Sequence, residues 1–317
     1  MTRWSDLMAN ILSFVRKPGP AAGPQDATLA AFLDGFSIEV MPRTAAKIED
    51  FRAILPRGTR VYVAHLDGTE YDDMRATARR LVDEGFAVMP HVPARGIGSR
   101  AELDRMIGGY ADVGVRQALV LAGGITAPRG PFSESMQLLE TGIFDTFGFT
   151  DLHVAGHPEG NTDIDPAGGI ANVSAALVRK NAFQAETDAR MAIATQFCFE
   201  AQPVIDWAGH LRATGITLPV HIGVAGPAKL QTMIRFAMAC GVGPSLRVLQ
   251  RRAADLTKLM TPFEPTEMLA ELARHKAAHP DFAVERVHFF PLGGIAATTD
   301  YTTSARRAGR DLRRVTA

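Results

Sequence analysis

Short runs rich in β-branched and aromatic residues recur along the chain, and they predict strands. Between them, apolar residues stand at helical spacing, and most of these segments close with a glycine or a short polar turn. Strands and helices are therefore expected to alternate. The eight predicted strands lie at residues 36–40, 60–66, 86–92, 117–124, 151–157, 191–197, 218–224 and 286–292.

The predicted strands are apolar along nearly their whole length, which is typical of a parallel sheet covered by helices on both faces. Eight strand and helix units in about 260 residues match the size of a closed (β/α)8 barrel, so we predict a TIM barrel. A doubly wound open sheet is the alternative fold. The segment from Pro244 to Pro280 is too long for one crossover and is expected to hold two or three helices, one of them in TPFEPTEMLAELARHKAAH.

The pattern divides the chain into three regions. Residues 1–25 are predicted to form an amphipathic helix followed by a linker rich in Pro, Gly and Ala at 17–25. Residues 26–304 are predicted to form the catalytic barrel, and residues 305–317 an arginine-rich, solvated tail. The N-terminal helix is expected to dock on the barrel or on a neighbouring subunit.

Composition narrows the class of partner. The 34 Lys and Arg residues balance 34 Asp and Glu residues, so the basic excess typical of proteins that bind nucleic acid or anionic membranes is missing. The two cysteines, Cys198 and Cys240, lie far apart, and no apolar run is long enough to span a bilayer. We therefore expect a cytoplasmic protein whose partners are small molecules or further copies of itself in a homo-oligomer.

Polar side chains stand at the predicted C-terminal ends of the strands, where TIM barrels bind their ligands. Glu39 and Gln196 are costly to bury unless partners or a ligand satisfy them. Burial also tends to raise the pKa of a carboxyl group, which suits a general acid. A zinc site is disfavoured because no HxH or HExxH spacing links the strand-end histidines. These histidines are His65, His91, His157 and His221, whereas His153 and His288 lie nearer strand middles and are expected to be structural.

Glycine-rich loops follow the last two predicted strands, with GVAGP at 223–227 and PLGGI at 291–295. Loops in these positions form the phosphate site of many barrels, but tight turns explain such glycines equally well. Neither GxGxxG after a strand nor GxxxxGK[ST] occurs, so a Rossmann or P-loop nucleotide site is disfavoured.

Five motifs resemble, in order, those of the methylenetetrahydrofolate reductase family, whose members are FAD-containing (β/α)8 barrels that reduce 5,10-methylenetetrahydrofolate to 5-methyltetrahydrofolate. The resemblance runs from about residue 36 to about residue 301. The motifs are FSIEVMPR (36–43) for the first strand, MPHV (89–92) for the third, HVAGHPEGN (153–161) for the fifth, ATQFCFE (194–200) for the sixth, and VHFFPLGGIAATTDY (287–301) for the closing segment.

The resemblance implies roles for particular residues. It implies that Glu39 is the general acid and that Gln196, beside Phe197, contacts the pterin. Leu230 stands where the family has a Phe against which nicotinamide or folate stacks. NADH or NADPH is the implied co-substrate, and folate the implied substrate. The implied FAD site consists of Ala64, His65, His91, Ala122, Gly123, Gly124, His157 and Asn161.

Several positions depart from the family pattern. LAGG at 121–124 replaces a Leu-Arg-Gly-Asp, so Gly124 stands for an Asp beside the flavin pyrimidine. Losing that carboxylate should favour the negatively charged reduced flavin, so we expect a higher flavin potential and a better fit to oxidising 5-methyltetrahydrofolate. The other departures are Ala64 for Thr, Ala122 for Arg, His157 for Tyr, Asn161 for His, Leu230 for Phe, and Gly293 and Gly294 for Asn-Arg.

The resemblance therefore implies a flavin-dependent oxidoreductase of one-carbon and methionine metabolism that interconverts the two folates. Glu39, held neutral by apolar surroundings, is expected to protonate a folate nitrogen. Two alternatives stay open. One is a paralogue that binds folate or flavin without turnover. The other is a phosphate-ligand aldolase or isomerase that uses the glycine-rich loops.

Overall fold

Eight parallel strands close into a barrel in the computed structural model, each hydrogen-bonded to the next in chain order and β1 to β8. The structure describes residues 24–161, 163–239 and 262–315. The predicted (β/α)8 barrel is confirmed, and the closure between β1 and β8 excludes an open sheet. The strands are β1 Ser37–Val40, β2 Arg60–Val63, β3 Ala87–Pro93, β4 Gln117–Leu121, β5 Asp151–Gly156, β6 Arg190–Cys198, β7 Val220–Ala225 and β8 Val284–Phe290.

Helices surround the barrel and connect its strands. Several connections also contain short helical turns, including 3₁₀ turns at Phe51–Ala53 and Ala94–Gly96. The α-helices are α1 Pro24–Phe32, α2 Pro42–Ala45, α3 Tyr71–Asp83, α4 Arg100–Asp112, α5 Ser135–Leu139, α6 Ile143–Thr146, α7 Ala171–Phe183, α8 Ala201–Ala213, α9 Leu230–Ala239, α10 Thr266–Ala278 and α11 Ile295–Val315.

Some boundaries differ from the sequence prediction. β2 ends at Val63 and β4 at Leu121, so His65 and Gly124 lie in the loops that follow. α1 begins inside the expected linker, and α11 continues across the boundary expected at residue 304. The helix expected in TPFEPTEMLAELARHKAAH is α10. The predicted N-terminal helix, and residues 244–261 of the long segment, lie outside the described residues.

Alternation along the strands separates two packed layers, because successive side chains in a strand point to opposite faces. Ile38 and Val40 belong to the large core that also contains helix residues such as Leu81. The barrel interior has its own small apolar cluster, formed by Tyr62, Met89, Leu119 and Ala194. Glu39 lies between two outward-facing residues and therefore points into the barrel.

Charged and polar residues close the N-terminal end of the barrel, where the first residues of four strands meet. Arg60 Nη2 lies 3.1 Å from Asp151 Oδ1, and Arg190 Nη2 lies 3.0 Å from Asp151 Oδ2. Arg60 Nε also donates to Gln117 Oε1 at 2.8 Å. Because Asp151 and Arg60 are largely withdrawn from water, each needs the other to offset the cost of burial.

Removing this carboxylate is expected to destabilise the fold. Asp151→Ala leaves Arg60, whose side chain is only 16% exposed, without its ionic partner. We expect the free energy of unfolding to fall by about 3 kcal/mol, as is typical when one partner of a buried ion pair is lost. The matched control is Asp72→Ala, because Asp72 is 86% exposed and its pair with Arg75 is worth less than about 1 kcal/mol. Urea unfolding measures both; equal losses would contradict the assignment.

Candidate functional site

The C-terminal mouth of the barrel gathers most of the residues that the sequence singled out. Glu39 lies in β1, His91 in β3, and Gln196 and Phe197 in β6. The others follow strand ends, because all eight strands are parallel and finish at the same end of the barrel. These are Ala64 and His65 after β2, Ala122, Gly123 and Gly124 after β4, His157 and Asn161 after β5, and Leu230 at the start of α9.

Glu39 is flanked by two histidines. Its Oε2 lies 3.3 Å from His91 Nε2 and 3.8 Å from His288 Nε2. Within the described chain His91 Nε2 is buried and makes no hydrogen bond of good geometry, although it lies close to the Glu39 carboxylate. At 3.8 Å the His288 contact is also too long for a direct hydrogen bond.

These neighbours decide the ionisation of Glu39. Burial by itself raises the pKa of the carboxyl group, but His288 and His91 lower it by more, and the net pKa is about 2. The expectation that apolar surroundings hold Glu39 neutral is therefore wrong. Sequence reasoning missed this because both histidines come from distant strands, β3 and β8, and reach Glu39 only when the barrel closes.

His157 joins two other predicted site residues. It hydrogen-bonds Gln196, and its Nδ1 lies 3.5 Å from Asn161 Nδ2. Burial, with a smaller contribution from the charge of Lys180, lowers the pKa of His157 to about 4. At neutral pH it is therefore an uncharged imidazole that links β6 to the loop after β5.

Phe197 and Leu230 lie in a different environment. They are 2% and 4% exposed and belong to an apolar cluster beside the mouth. The ring centroid of Phe197 lies 5.6 Å from that of Phe199 and 5.4 Å from that of Phe290. Phe197 and Leu230, which were both predicted to bind substrate, are thus packed inside this cluster, on the side of the barrel where β6, β7 and β8 end.

A cavity of about 1040 Å³ opens beside this cluster, between the loops after β1, β7 and β8. Met41, two residues after Glu39, lines it, and so do the side chains of three basic residues, Arg43, Lys229 and Arg235. Two carboxylates, Glu264 and Asp300, also reach the wall. Among the described lining residues, three basic side chains thus stand against two acidic ones, and the basic side chains could contact an anionic group.

The glycine-rich loops after β7 and β8 are packed against their neighbours. A Cβ at Gly226 would lie 2.3 Å from Thr298 Oγ1, and one at Gly293 would lie 2.0 Å from the carbonyl oxygen of Pro227. The N–H of Gly226 donates to Phe290 O, and that of Gly294 to Pro291 O. These glycines therefore allow close contact between loops, and two of their N–H groups are already bound within the protein.

Residues that the sequence analysis did not select lie directly below Glu39. Ser37 Oγ lies 2.9 Å from His288 Nδ1, and Tyr62 lies against the His288 ring with 4.2 Å between centroids. The available signal was the two-residue repeat: Ser37 shares the inward face with Glu39, and Arg60 shares it with Tyr62. His153 and His288, expected to be structural, are both buried in this interior.

Among residues 24–161, 163–239 and 262–315, no three or more His, Cys, Asp or Glu side chains are grouped so as to hold a metal ion. In those same ranges no helix combines the length and apolar character that crossing a membrane requires.

Comparison with known proteins identifies the fold. No protein-family model matches the sequence. A solved structure from Clostridium thermocellum, of a protein that binds two copies of 5-methyl-5,6,7,8-tetrahydrofolic acid, is similar with a TM-score of 0.51 and 9% identity, covering 91% of this chain and 98% of that chain. The 7,8-dihydropteroate synthase from Vibrio fischeri ES114 gives a TM-score of 0.42 at 10% identity, with 86% and 93% covered. At 9% identity the likeness to the Clostridium thermocellum protein is one of fold.

Proposed function

We propose that this protein binds a reduced folate in the barrel mouth and interconverts 5-methyltetrahydrofolate and 5,10-methylenetetrahydrofolate with FAD as the redox cofactor. The observation that carries the proposal is the carboxylate of Glu39, held between His91 and His288 at the end of β1. It stands where the resembled family has its proton-transferring Glu. The fold shared with a barrel that binds 5-methyltetrahydrofolate is consistent with this substrate class.

The ionisation of Glu39 favours the oxidative direction. Oxidation of the methyl group removes a hydride, and closure of the five-membered ring between the two folate nitrogens then releases one proton. A carboxylate with a pKa of about 2 is ionised at neutral pH, and Glu39 is the proposed acceptor of that proton. In the reductive direction, Glu39 would first have to be protonated, which its two histidine neighbours oppose.

Gln196 and His157 form the polar wall opposite β1. Their hydrogen bond orients the Gln196 amide, and we propose that this amide contacts the edge of a pterin. His157 in turn contacts Asn161 in the loop after β5. A fixed amide of this kind orients a ring that has both donors and acceptors along its edge.

Two features of the residues assigned to FAD are compatible with a flavin ring. A Cβ at Gly124 would meet nothing within 4 Å, so the end of β4 leaves room for a planar group. His91 supplies a buried Nε2 without a hydrogen-bond partner among the described residues, and none of the assigned residues is a carboxylate. Ala64, His65, Ala122, Gly123, His157 and Asn161 complete this surface. When bound, FAD supplies the two-electron acceptor, and NADH or NADPH is the proposed co-substrate.

The cavity beside β1 suits the other end of the substrate. A folate carries a glutamate whose carboxylates are negatively charged, and Arg43, Lys229 and Arg235 line this cavity. Met41 connects the cavity wall to the strand that carries Glu39. A folate with its pterin near Gln196 and its glutamate in the cavity would therefore extend across the mouth past Glu39.

The alternative of a phosphate-ligand aldolase or isomerase is less well supported. A phosphate site of that kind needs free backbone N–H groups in the loops after β7 and β8. The N–H groups of Gly226 and Gly294 instead donate to carbonyl oxygens of the protein. A paralogue that binds folate or flavin without turnover shares every binding feature described above, and only a measurement of turnover distinguishes it.

One anaerobic experiment tests the proposal. The purified full chain is incubated with FAD, and 5-methyltetrahydrofolate is then added. We expect visible flavin absorbance from bound FAD, its bleaching by the folate, and appearance of 5,10-methylenetetrahydrofolate in equal amount. Binding of both ligands without bleaching would identify the non-catalytic paralogue instead. Failure to bind either ligand would overturn the proposal.

A further inference from the structure

A column of buried polar side chains runs through the barrel interior from Glu39 at the mouth to Arg60 at the N-terminal end. Its inner members are Ser37, His288, Tyr62 and His153, and each is at most 2% exposed. Four polar residues in one barrel interior are costly unless they are hydrogen-bonded to one another. Of these four residues, the proposed reaction assigns a role to His288 alone.

Each member of the column contacts the next one. Arg60 Nη1 lies 3.3 Å from His153 Nε2, and His153 Nδ1 lies 2.6 Å from the Tyr62 hydroxyl. The Tyr62 hydroxyl lies beside Ser37, and Ser37 Oγ lies 2.9 Å from His288 Nδ1. His288 Nε2 then faces the Glu39 carboxylate, 3.8 Å from Oε2.

Arg60 determines which atom donates in each hydrogen bond of the column. Burial, followed by nearby positive charge from His221 and Arg60, holds the pKa of His153 well below its ordinary value, so its ring is neutral and carries one N–H. A guanidinium can only donate, so His153 Nε2 accepts and the proton of His153 is on Nδ1. Nδ1–H then donates to the Tyr62 oxygen, which leaves the Tyr62 O–H to donate to Ser37 and the Ser37 O–H to donate to His288.

The Glu39 end requires the same direction. Burial lowers the pKa of His288, so this ring also carries a single proton at neutral pH. A carboxylate only accepts, so it favours the form of His288 in which Nε2–H points towards it. With its proton on Nε2, His288 must accept at Nδ1, and among the described residues the donor that meets it is the Ser37 hydroxyl. Arg60, which can only donate, and Glu39, which can only accept, therefore imply the same donor direction for every hydrogen bond between them.

We propose that Ser37, Tyr62 and His153 are positioning residues that hold His288 with its Nε2 proton facing Glu39, and thereby keep Glu39 a carboxylate that can accept a proton. The catalytic consequence rests on the proposed function, whereas the directed column does not. The titratable groups that face Glu39 are His91 of β3, His288 of β8 and Tyr62 of β2. The column also connects the mouth to the ion pair between Arg60 and Asp151.

The protonation states can be measured in the unaltered protein. Long-range ¹H–¹⁵N NMR of histidine-labelled protein reports which ring nitrogen carries the proton, with His153→Gln and His288→Gln samples used only to assign signals. At neutral pH we expect a neutral His153 protonated on Nδ1 and a neutral His288 protonated on Nε2. The opposite tautomer of either ring would overturn the proposal, whether or not the protein turns over folate.

A second measurement follows the carboxyl group itself. In ¹³C-glutamate-labelled protein, Tyr62→Phe and Ser37→Ala are each expected to raise the titration midpoint of Glu39 by about one pH unit, the size of one hydrogen bond's contribution. Tyr110→Phe is the matched control, because Tyr110 is another fully buried tyrosine, remote from the column, and should leave the midpoint unchanged. An unchanged midpoint in both column variants would refute the positioning role even if the folate reaction were established.

Discussion

Glu39→Gln is expected to abolish folate turnover while leaving the fold and the binding of FAD and folate intact. Gln has nearly the same shape as Glu but cannot accept the proton that ring closure releases. A positioned acid or base typically contributes about 10² to 10⁴ in rate, so we expect a fall of that size in the folate-dependent rate of flavin reduction. Anaerobic stopped-flow absorbance measures this rate, and equilibrium titration measures the binding of each ligand.

The matched control for this variant is Glu140→Gln, which makes the same chemical change at a carboxylate whose side chain is 50% exposed and pairs with Arg179. It should leave the rate unchanged. A Glu39→Gln protein that reduced its flavin at the normal rate would remove Glu39 from the reaction. A variant that lost folate binding altogether would instead indicate that the carboxylate contributes mainly to affinity.

Gly223→Ala is expected to destabilise the barrel and to weaken folate binding together. A Cβ at this position would lie 2.5 Å from the carbonyl oxygens of Thr195 and Gln196, and neither obstacle is a flexible side chain. β6 and β7 pair there across an irregular register, and the Gly223 N–H donates to Thr195 Oγ1 at 2.8 Å. Forcing the strands apart should cost roughly 3 kcal/mol and displace Gln196 from the proposed pterin site.

The control for this substitution is Gly209→Ala in α8, where an added Cβ would meet nothing within 4 Å. Alanine in a helix interior is better than glycine by roughly 0.5 to 1 kcal/mol, so this variant should be slightly more stable than the parent. Urea unfolding gives both stabilities, and calorimetry with 5-methyltetrahydrofolate gives the affinities. If Gly223→Ala were as stable as Gly209→Ala, the close contact between β6 and β7 could not be essential.

Part of the candidate site could be predicted from the sequence, because the alternation of side chains along a strand is a local property. The run from residue 36 to residue 40 places Glu39 on the inward face of its strand, and the structure has it there. The eight predicted strands likewise correspond to the eight observed, although β2 and β4 each end three residues early, at Val63 and Leu121. Strand ends are harder to predict, since pairing with neighbouring strands decides where a strand stops.

The surroundings of each site residue were harder to predict from the sequence. Apolar neighbours in sequence suggested a neutral Glu39, yet Ile38 and Val40 point away from it, and His91 and His288 set its charge. Leu230 and Phe197 were assigned to substrate by their motif positions, and the structure packs both into an apolar cluster. In each case the deciding contacts come from residues distant in the chain.

The sequence by itself therefore determined the alternation of strands and helices, the barrel that follows from it, and the inward position of Glu39. Only the tertiary structure decided that Glu39 is ionised, that Gln196 is bound to His157, and that a column of polar residues joins Glu39 to Arg60. The physical reason is that periodicity acts over neighbouring residues. Charge and hydrogen-bond direction depend on partners that meet only when the first and last strands close the barrel.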